Sequence, residues 1–255
     1  CMVPFASISA VASAVDSNMA DQGVVPIENS LQGSVTETLD LLINQTSLLI
    51  NHELVMYIDH FLLAKPGTNA KDIEVIYSHP QALSQCRLFL ERCFPNAHIL
   101  AALSTTAAVE QMKNSAPPSA AIATQRAAEL YGVEILARSI QDNPNNVTRF
   151  VVLAHSDHPP TGRDKTSLCF SFSEDCPGQL YKMMSEFAER DINLTKIESR
   201  PTKQNLGQYF FLVDLEGHKE DPKVKSSLQK IQSITSMLRI FGSYPRFSPT
   251  KPRSD

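Results

Sequence analysis

Several features that would point to a particular chemistry are missing from this chain. No window approaches the roughly 20 consecutive apolar residues that a membrane span requires, so no transmembrane segment is expected. The five cysteines include no CxxC pair, which argues against a disulfide framework or a zinc site and suits a reducing, cytoplasmic compartment. No basic run accompanies the formal charge of -4, so the footprint that nucleic acid or an anionic membrane would demand is absent. What remains is small-molecule chemistry on a globular scaffold. With 42% apolar and 20% charged residues in 255, a packed core of one large or two ordinary domains is expected. The first residue is Cys1 rather than Met, and the chain reads as a piece of a longer protein. Cys86 and Cys93, seven apart, read as small buried apolar side chains.

Short apolar runs alternate with helix-like stretches up to residue 154. Gly23 to Ile27, Leu54 to Ala64, Ile73 to Ser78, Ala120 to Ala123, Val133 to Ala137 and Val147 to Ala154 read as strands. Val35, Leu39 and Leu42, and then Leu83 and Leu90 after Pro80, fall at helical spacing, which makes an α/β pattern. Ser34, His79-Pro80 and Ser104-Thr105 stand where helices should begin and offer free backbone N–H groups to an anion. Residues 155–165 hold two adjacent prolines, a glycine and no periodicity, and read as a linker. His155 and His158 within it lack the further ligands that zinc needs. Residues 166–246 then give the order βαββαβ, a ferredoxin-like unit, and 247–255 a disordered tail.

The most informative run is Asn145-Asn146-Val147-Thr148-Arg149-Phe150, opening the apolar strand Val151-Val152-Leu153. It sets a lone hydroxyl, Thr148, beside a cation, with no carboxylate, thiol or metal set in the same run to act as base or nucleophile. Such a site suits a reaction that needs a leaving group protonated and little else. Together with Gly23 to Ser30 (GVVPIENS), Gly33-Ser34-Val35, Tyr77 to Leu83 (YSHPQAL) with Gln85-Cys86, Leu103-Ser104-Thr105 and Ala127 to Tyr131 (AAELY), the chain resembles prephenate dehydratase. The resemblance runs from about Val3 to Arg246. Ile192 to Pro201 (INLTKIESRP) and Gly242 to Arg246 (GSYPR) resemble the ACT regulatory domain of the same family.

The resemblance implies a catalytic domain over 1–154 built of two α/β lobes of the periplasmic-binding-protein type (type 2), with the active site in their cleft, followed by the ACT domain. It implies decarboxylative dehydration of prephenate to phenylpyruvate, with Thr148 as hydrogen-bond donor to the departing hydroxyl and neither metal nor cofactor. Asn29, Ser30, Ser78, Gln85, Ser104 and Thr105 are the substrate-holding candidates, standing at strand ends or helix starts, and Arg149 is a candidate for added positive charge. For the effector, phenylalanine, the candidates are Gly178, Leu180, Asn193, Leu194, Glu198, Ser199 and Arg200, in a homodimer or homotetramer made by pairing ACT domains. Arogenate dehydratase is the near alternative, and a non-catalytic phenylalanine sensor the distant one. Two departures stand out. The strand, Gly-Pro-x-Gly-Thr turn and helix that open family members do not precede Cys1, and the family's Gly-Ala-Leu-Val element reads Gly178-Gln179-Leu180-Tyr181, where bulkier side chains are expected to weaken feedback.

Overall fold

The computed structural model describes residues 1–173, 176–203 and 207–247. The chain divides into two bodies, one of residues 1–56 and 148 onward, the other Tyr57–Val147. The first opens with α1 (Ile8–Asp16), whose Ser7 cap accepts from the Ala10 N–H at 3.1 Å. There follow β1 (Gly23–Asn29), the two-residue β2 (Gly33–Ser34), α2 (Thr36–Asp40) running into a π-helical turn at Leu41–Gln45, and β3 (Leu49–Tyr57). In β1 the alternate residues Gly23, Val25, Ile27 and Asn29 are the buried ones, the period-two pattern of a half-buried strand.

The second body holds β4 (Phe61–Ala64), β5 (Val75–Ser78), α3 (Pro80–Gln85), α4 (Arg87–Cys93), β6 (His98–Ala101), α5 (Thr105–Asn114), β7 (Ser119–Ala123), α6 (Gln125–Tyr131) and β8 (Glu134–Ala137). Its sheet runs β6-β5-β7-β4-β8, with β5 parallel to β6 and β7 and with β4 antiparallel to β7 and β8. Leu63, Ala121 and Ala123 face one core and Leu62, Ala120 and Ile122 the other. Both faces are covered, so these strands read as unbroken apolar runs rather than alternating ones.

The chain returns through β9 (Val147–Ala154) to complete the first sheet, β2-β1-β9-β3. It then builds β10 (Asp164–Ser171), α7 (Gln179–Ala188), β11 (Leu194–Pro201), β12 (Tyr209–Glu216), α8 (Pro222–Ile234) and β13 (Met237–Pro245). That sheet has the order β11-β12-β10-β13, antiparallel throughout, which is the expected ferredoxin-like arrangement. One face carries Leu168, Phe170, Val213 and Leu215 against Met183 and Phe187 of α7 and Leu228 and Ile231 of α8. The other face turns Cys169, Leu212, Phe241 and Tyr244 into one core with Val25, Ile27, Leu42, Ile50 and Val151. The ferredoxin-like sheet is thus fused to the first lobe through a continuous apolar interior.

Some sequence readings need correction. Leu54 to Ala64 is not one strand: it divides into β3 and β4, which lie in different sheets. The polar Asp59-His60 step marks the break, where the His60 N–H bonds the Gln141 side chain at 2.9 Å rather than a ladder partner. The helix after Pro80 is interrupted at Cys86, between α3 and α4; Cys86 is buried as expected, but Cys93 is exposed. The segment 155–165 is more than a solvated connection, since β10 begins at Asp164. The Asp157 carboxylate accepts from the Ser243 N–H at 3.0 Å and pairs with Lys219 at 2.6 Å, while His158 N–H donates to Ser243 O at 3.0 Å. The expected tail, past Phe247, lies outside the described residues. Elements that went unread in the sequence include α1, the two-residue β2, the exposed strand β6 and the helix α6.

Candidate active site

Thr148 sits near the start of β9, opposite Asn29 of β1 in the antiparallel register. A β-bulge sets that pairing. Pro26 lies opposite Phe150, but the register shifts by one at Ile27, so that Glu28 meets Arg149 and Asn29 meets Thr148. Without the extra residue a carboxylate, Glu28, would stand against Thr148 in place of an amide. Asn29 is buried, and its side-chain orientation is decided by its partners. Its Oδ1 accepts from the N–H groups of Leu31 and Gln32 at 3.0 and 3.2 Å, while its Nδ2 donates to Thr148 Oγ1 at 2.9 Å. Because Oγ1 accepts from Asn29, the Thr148 O–H is left to donate.

Arg149, on the opposite face of the strand, is engaged elsewhere. Its Nε donates to Glu53 at 2.8 Å, Nη1 to Asp214 at 2.6 Å and to Glu28 at 3.4 Å, and Nη2 to Tyr244 Oη at 2.7 Å. Burial alone would lower its pKa, yet Tyr244, Asp214 and Glu53 together hold it above the ordinary arginine value. Asp214 lies within the ferredoxin-like sheet; burial opposes its charge, but Arg149 and the Ser167 hydroxyl keep its carboxyl below the usual range. Three acids and a phenol thus take every guanidinium nitrogen. These bonds use four of the five guanidinium N–H groups, and Arg149 ties the first lobe to the ferredoxin-like sheet.

In the second body, Ser78 ends β5 and Ser104 follows the C-terminal end of the adjacent parallel strand β6, the usual place for a ligand in open α/β sheets. Ser78 is fully buried and donates to Ile122 O at 2.7 Å. Ser104 caps α5, accepting from Ala107 N–H at 3.0 Å, and Thr105 is the first helical residue. Gln85 ends α3, and its Oε1 lies 2.8 Å from His60 Nε2 and accepts from Asn146 Nδ2 at 3.0 Å. Sequence reading placed Gln85 but passed over His60, which was taken as interior to a continuous strand; the polar pair Asp59-His60 was the available signal. Ser30 follows β1 directly and is exposed. His79 caps α3, its Nδ1 accepting from Gln81 N–H at 3.3 Å. The buried thiols are not nucleophiles: burial and nearby Asp142 push Cys86 up to about 12. Among the described residues no three His, Cys, Asp or Glu side chains converge to hold a metal ion, and no helix is long and apolar enough to cross a membrane.

Within the ferredoxin-like unit a cavity of about 470 Å³ is lined by Phe172, Pro177, Gly178, Leu180, Tyr209 and Phe211, with Gln179 on its wall. Gly178 takes φ +82° at the start of α7, a conformation that L side chains adopt at a cost. The cavity brings together Gly178 and Leu180 of the expected effector residues. Asn193, Leu194 and Ser199 do not line it. Glu198 accepts from Ser34 Oγ at 2.5 Å and Arg200 pairs with Asp40 at 2.7 Å, so these two face α2 and β2 of the first lobe.

Comparison with known proteins agrees with this arrangement. The family model described as prephenate dehydratase matches residues 1–158, and that of the ACT domain residues 170–232. A bifunctional chorismate mutase/prephenate dehydratase of Aquifex aeolicus is 42% identical over 243 residues, covering 95% of this chain and 66% of the relative. The chain therefore spans just under two thirds of that protein. A prephenate dehydratase of Mycolicibacterium vanbaalenii is 41% identical over 94% of this chain and 77% of the relative. The crystal structure of prephenate dehydratase in complex with L-Phe from Arthrobacter aurescens superposes with a TM-score of 0.86 at 38% identity, covering 96% of this chain and 81% of that one. With its Thr148–Asn29 pair, two α/β sheets and ferredoxin-like C-terminal unit, this chain belongs to the prephenate dehydratase family, a catalytic domain followed by an ACT domain.

Proposed function

We propose that this chain carries out the decarboxylative dehydration of prephenate to phenylpyruvate, water and carbon dioxide, a carbon–oxygen lyase reaction of phenylalanine biosynthesis, in the cytoplasm. The observation that carries the reading is the Asn29–Thr148 hydrogen bond, which leaves the Thr148 O–H as a directed donor. In the reaction the ring carboxylate leaves as carbon dioxide. Its electron pair enters the ring, the ring becomes aromatic, and the C–O bond breaks. The departing oxygen gathers negative charge as it leaves, and the Thr148 O–H answers that charge; a proton from solvent completes the water. Aromatisation supplies much of the drive, so the protein has to orient a dianion and support one leaving group. Ser104, Thr105 and the free N–H groups opening α5 suit the carboxylates, because a helix start favours negative charge, and Gln85, at the end of α3, adds a side-chain amide. Ser30 and Ser78 complete the substrate-holding set at strand ends.

Phenylalanine is the proposed effector, and the cavity beside Gly178 and Leu180 has apolar walls of Phe172, Tyr209 and Phe211 suited to its ring. The ACT sheet has one face covered by helices and the other by the first lobe; its remaining open feature is strand edge, which favours pairing into a homodimer or homotetramer. The test is Thr148→Ala: kcat should fall about 10²-fold or more with KM little changed, since a leaving-group donor acts in the transition state. A near-normal kcat would remove Thr148 from the mechanism. Competing prephenate against arogenate in one assay separates the two dehydratase activities, and Gly178→Val should abolish phenylalanine binding if the cavity is the effector site.

A further inference from the structure

We propose that His60 is a positioning residue for the substrate-holding amide of Gln85, an inference that rests on the reading of Gln85 given above. His60 is 5% exposed. Its main chain is fixed on both sides, the N–H by Gln141 Oε1 at 2.9 Å and the carbonyl by the Ile140 N–H at 3.0 Å, while Gln141 Nε2 is itself held by Asp59 at 2.7 Å. The main chain of Gln85 is tied to the same segment, its carbonyl accepting from Asp142 N–H at 2.7 Å. Residues 140–142 thus hold the imidazole and the amide in one frame.

Within that frame Gln85 Oε1 meets two nitrogens, His60 Nε2 at 2.8 Å and Asn146 Nδ2 at 3.0 Å. An amide oxygen has two lone pairs, and two donors fill them. Turning the amide over would set its NH₂ against the NH₂ of Asn146, so the oxygen stays where it is. The imidazole is then the tautomer with hydrogen on Nε2. The consequence falls on the other end of the amide. Among the described residues, the buried atoms without a hydrogen-bond partner include Gln85 Nε2 and His60 Nδ1. Native proteins rarely leave a buried donor unpaired; an N–H pair locked in place by its own carbonyl is matched by an acceptor oxygen, a carboxylate or hydroxyl of the substrate. The unpaired Nδ1 makes the same point from the other side. A phenyl ring of that size would fill the space with no orphaned lone pair, so what the imidazole adds over it is the Nε2–H.

The full chain carrying His60→Phe, His60→Gln and Gln85→Leu, singly and with each His60 change combined with Gln85→Leu, is assayed for kcat and KM with prephenate. His60→Phe should raise KM about tenfold with kcat nearly unchanged, the signature of lost uniform binding through one hydrogen bond. His60→Gln, whose amide N–H reaches the same oxygen, should restore most of it, and in the Gln85→Leu background His60→Phe should add nothing. If His60→Phe does not fold, His60→Asn, too short to reach Gln85, takes its place against His60→Gln. An unaltered KM in His60→Phe while Gln85→Leu raises it overturns the positioning role, as does an equal His60 effect in both backgrounds. An unaltered KM in Gln85→Leu itself instead removes Gln85 from the substrate-holding set, and the role of His60 with it.

Discussion

Arg149 Nη1 donates to Asp214 Oδ2 at 2.6 Å, joining the residue next to Thr148 to a central strand of the ACT sheet. The pair is buried, with side-chain exposures of 12% and 9%, and Glu53 binds the same guanidinium while also pairing with Lys165 at 2.8 Å. The ACT sheet and β9 therefore share one charge network. Removing one member of a buried pair leaves the other uncompensated, and that penalty exceeds what the pair contributed. Asp214→Leu should cost about 3 kcal/mol in urea unfolding, the low end for such sites because Glu53 remains. The double variant Arg149→Met, Asp214→Leu should recover much of that loss; equal or additive destabilisation would show that the two side chains are not coupled.

The same network sets an acid limit. Asp214 is held below the ordinary carboxylate range in the folded protein, so its ionised form stabilises the fold at pH values above the unfolded value of about 3.9. That contribution fades as pH falls below about 4, through the lower folded value. Thermal midpoints followed from pH 6 to pH 3 should fall more steeply for the wild type than for Asp214→Asn. Parallel curves would mean that Asp214 does not carry the acid sensitivity.

Asn29→Asp probes the direction of the hydrogen bond at Thr148. Aspartate keeps an oxygen for the Leu31 and Gln32 N–H groups, but it presents an acceptor where the amide presented a donor. The Thr148 O–H should then turn toward the carboxylate and away from the departing oxygen, with kcat lowered about 10²-fold and KM less affected. A variant with wild-type kcat would show that Asn29 does not set the donor.

Gly242 of β13 lies against the backbone of Ile50 in β3 of the first lobe. A Cβ there would collide with the carbonyl oxygen of Ile50 and stand 2.8 Å from its nitrogen, at φ +147°. Backbone on both sides leaves nothing soft to yield. Gly242→Ala should therefore cost at least about 3 kcal/mol, whereas Gly67→Ala, at φ +79° with open space around it, should cost about 1–2 kcal/mol. Chemical denaturation of the two variants gives the comparison directly, and similar losses would contradict the close approach.

Thiol chemistry should divide by burial. Cys1, Cys93 and Cys176 are exposed, while Cys86 and Cys169 are buried with their thiols pushed up to about 12. Alkylation near pH 8, read by mass spectrometry, should label the first three in the native protein and the other two only after unfolding. Native labelling of Cys169 would mean that the core shared by the ACT sheet and the first lobe opens readily.

Local pattern was enough for much of this protein. The alternation in β1, the continuous apolar runs of the second sheet and the βαββαβ order after residue 164 are short-range signals, and periodicity reports them because burial follows the geometry of each element. The run through Thr148 and the stretches around Asn29, Ser78 and Gln85 were legible for the same reason, as contiguous residues of recognisable type. Tertiary structure decided the rest. Where the run from Leu54 to Ala64 divides depends on which sheet each half joins, and His60 acquires meaning only beside Gln85, 25 positions away. The bulge at Ile27 chooses between a carboxylate and an amide for Thr148, a difference of one residue in register that composition does not encode. For Arg149 the sequence shows the charge and not the partners. Glu28, Glu53, Asp214 and Tyr244 come from four separate strands, and folding brings them together because a buried guanidinium requires its charge and its donors to be met at once.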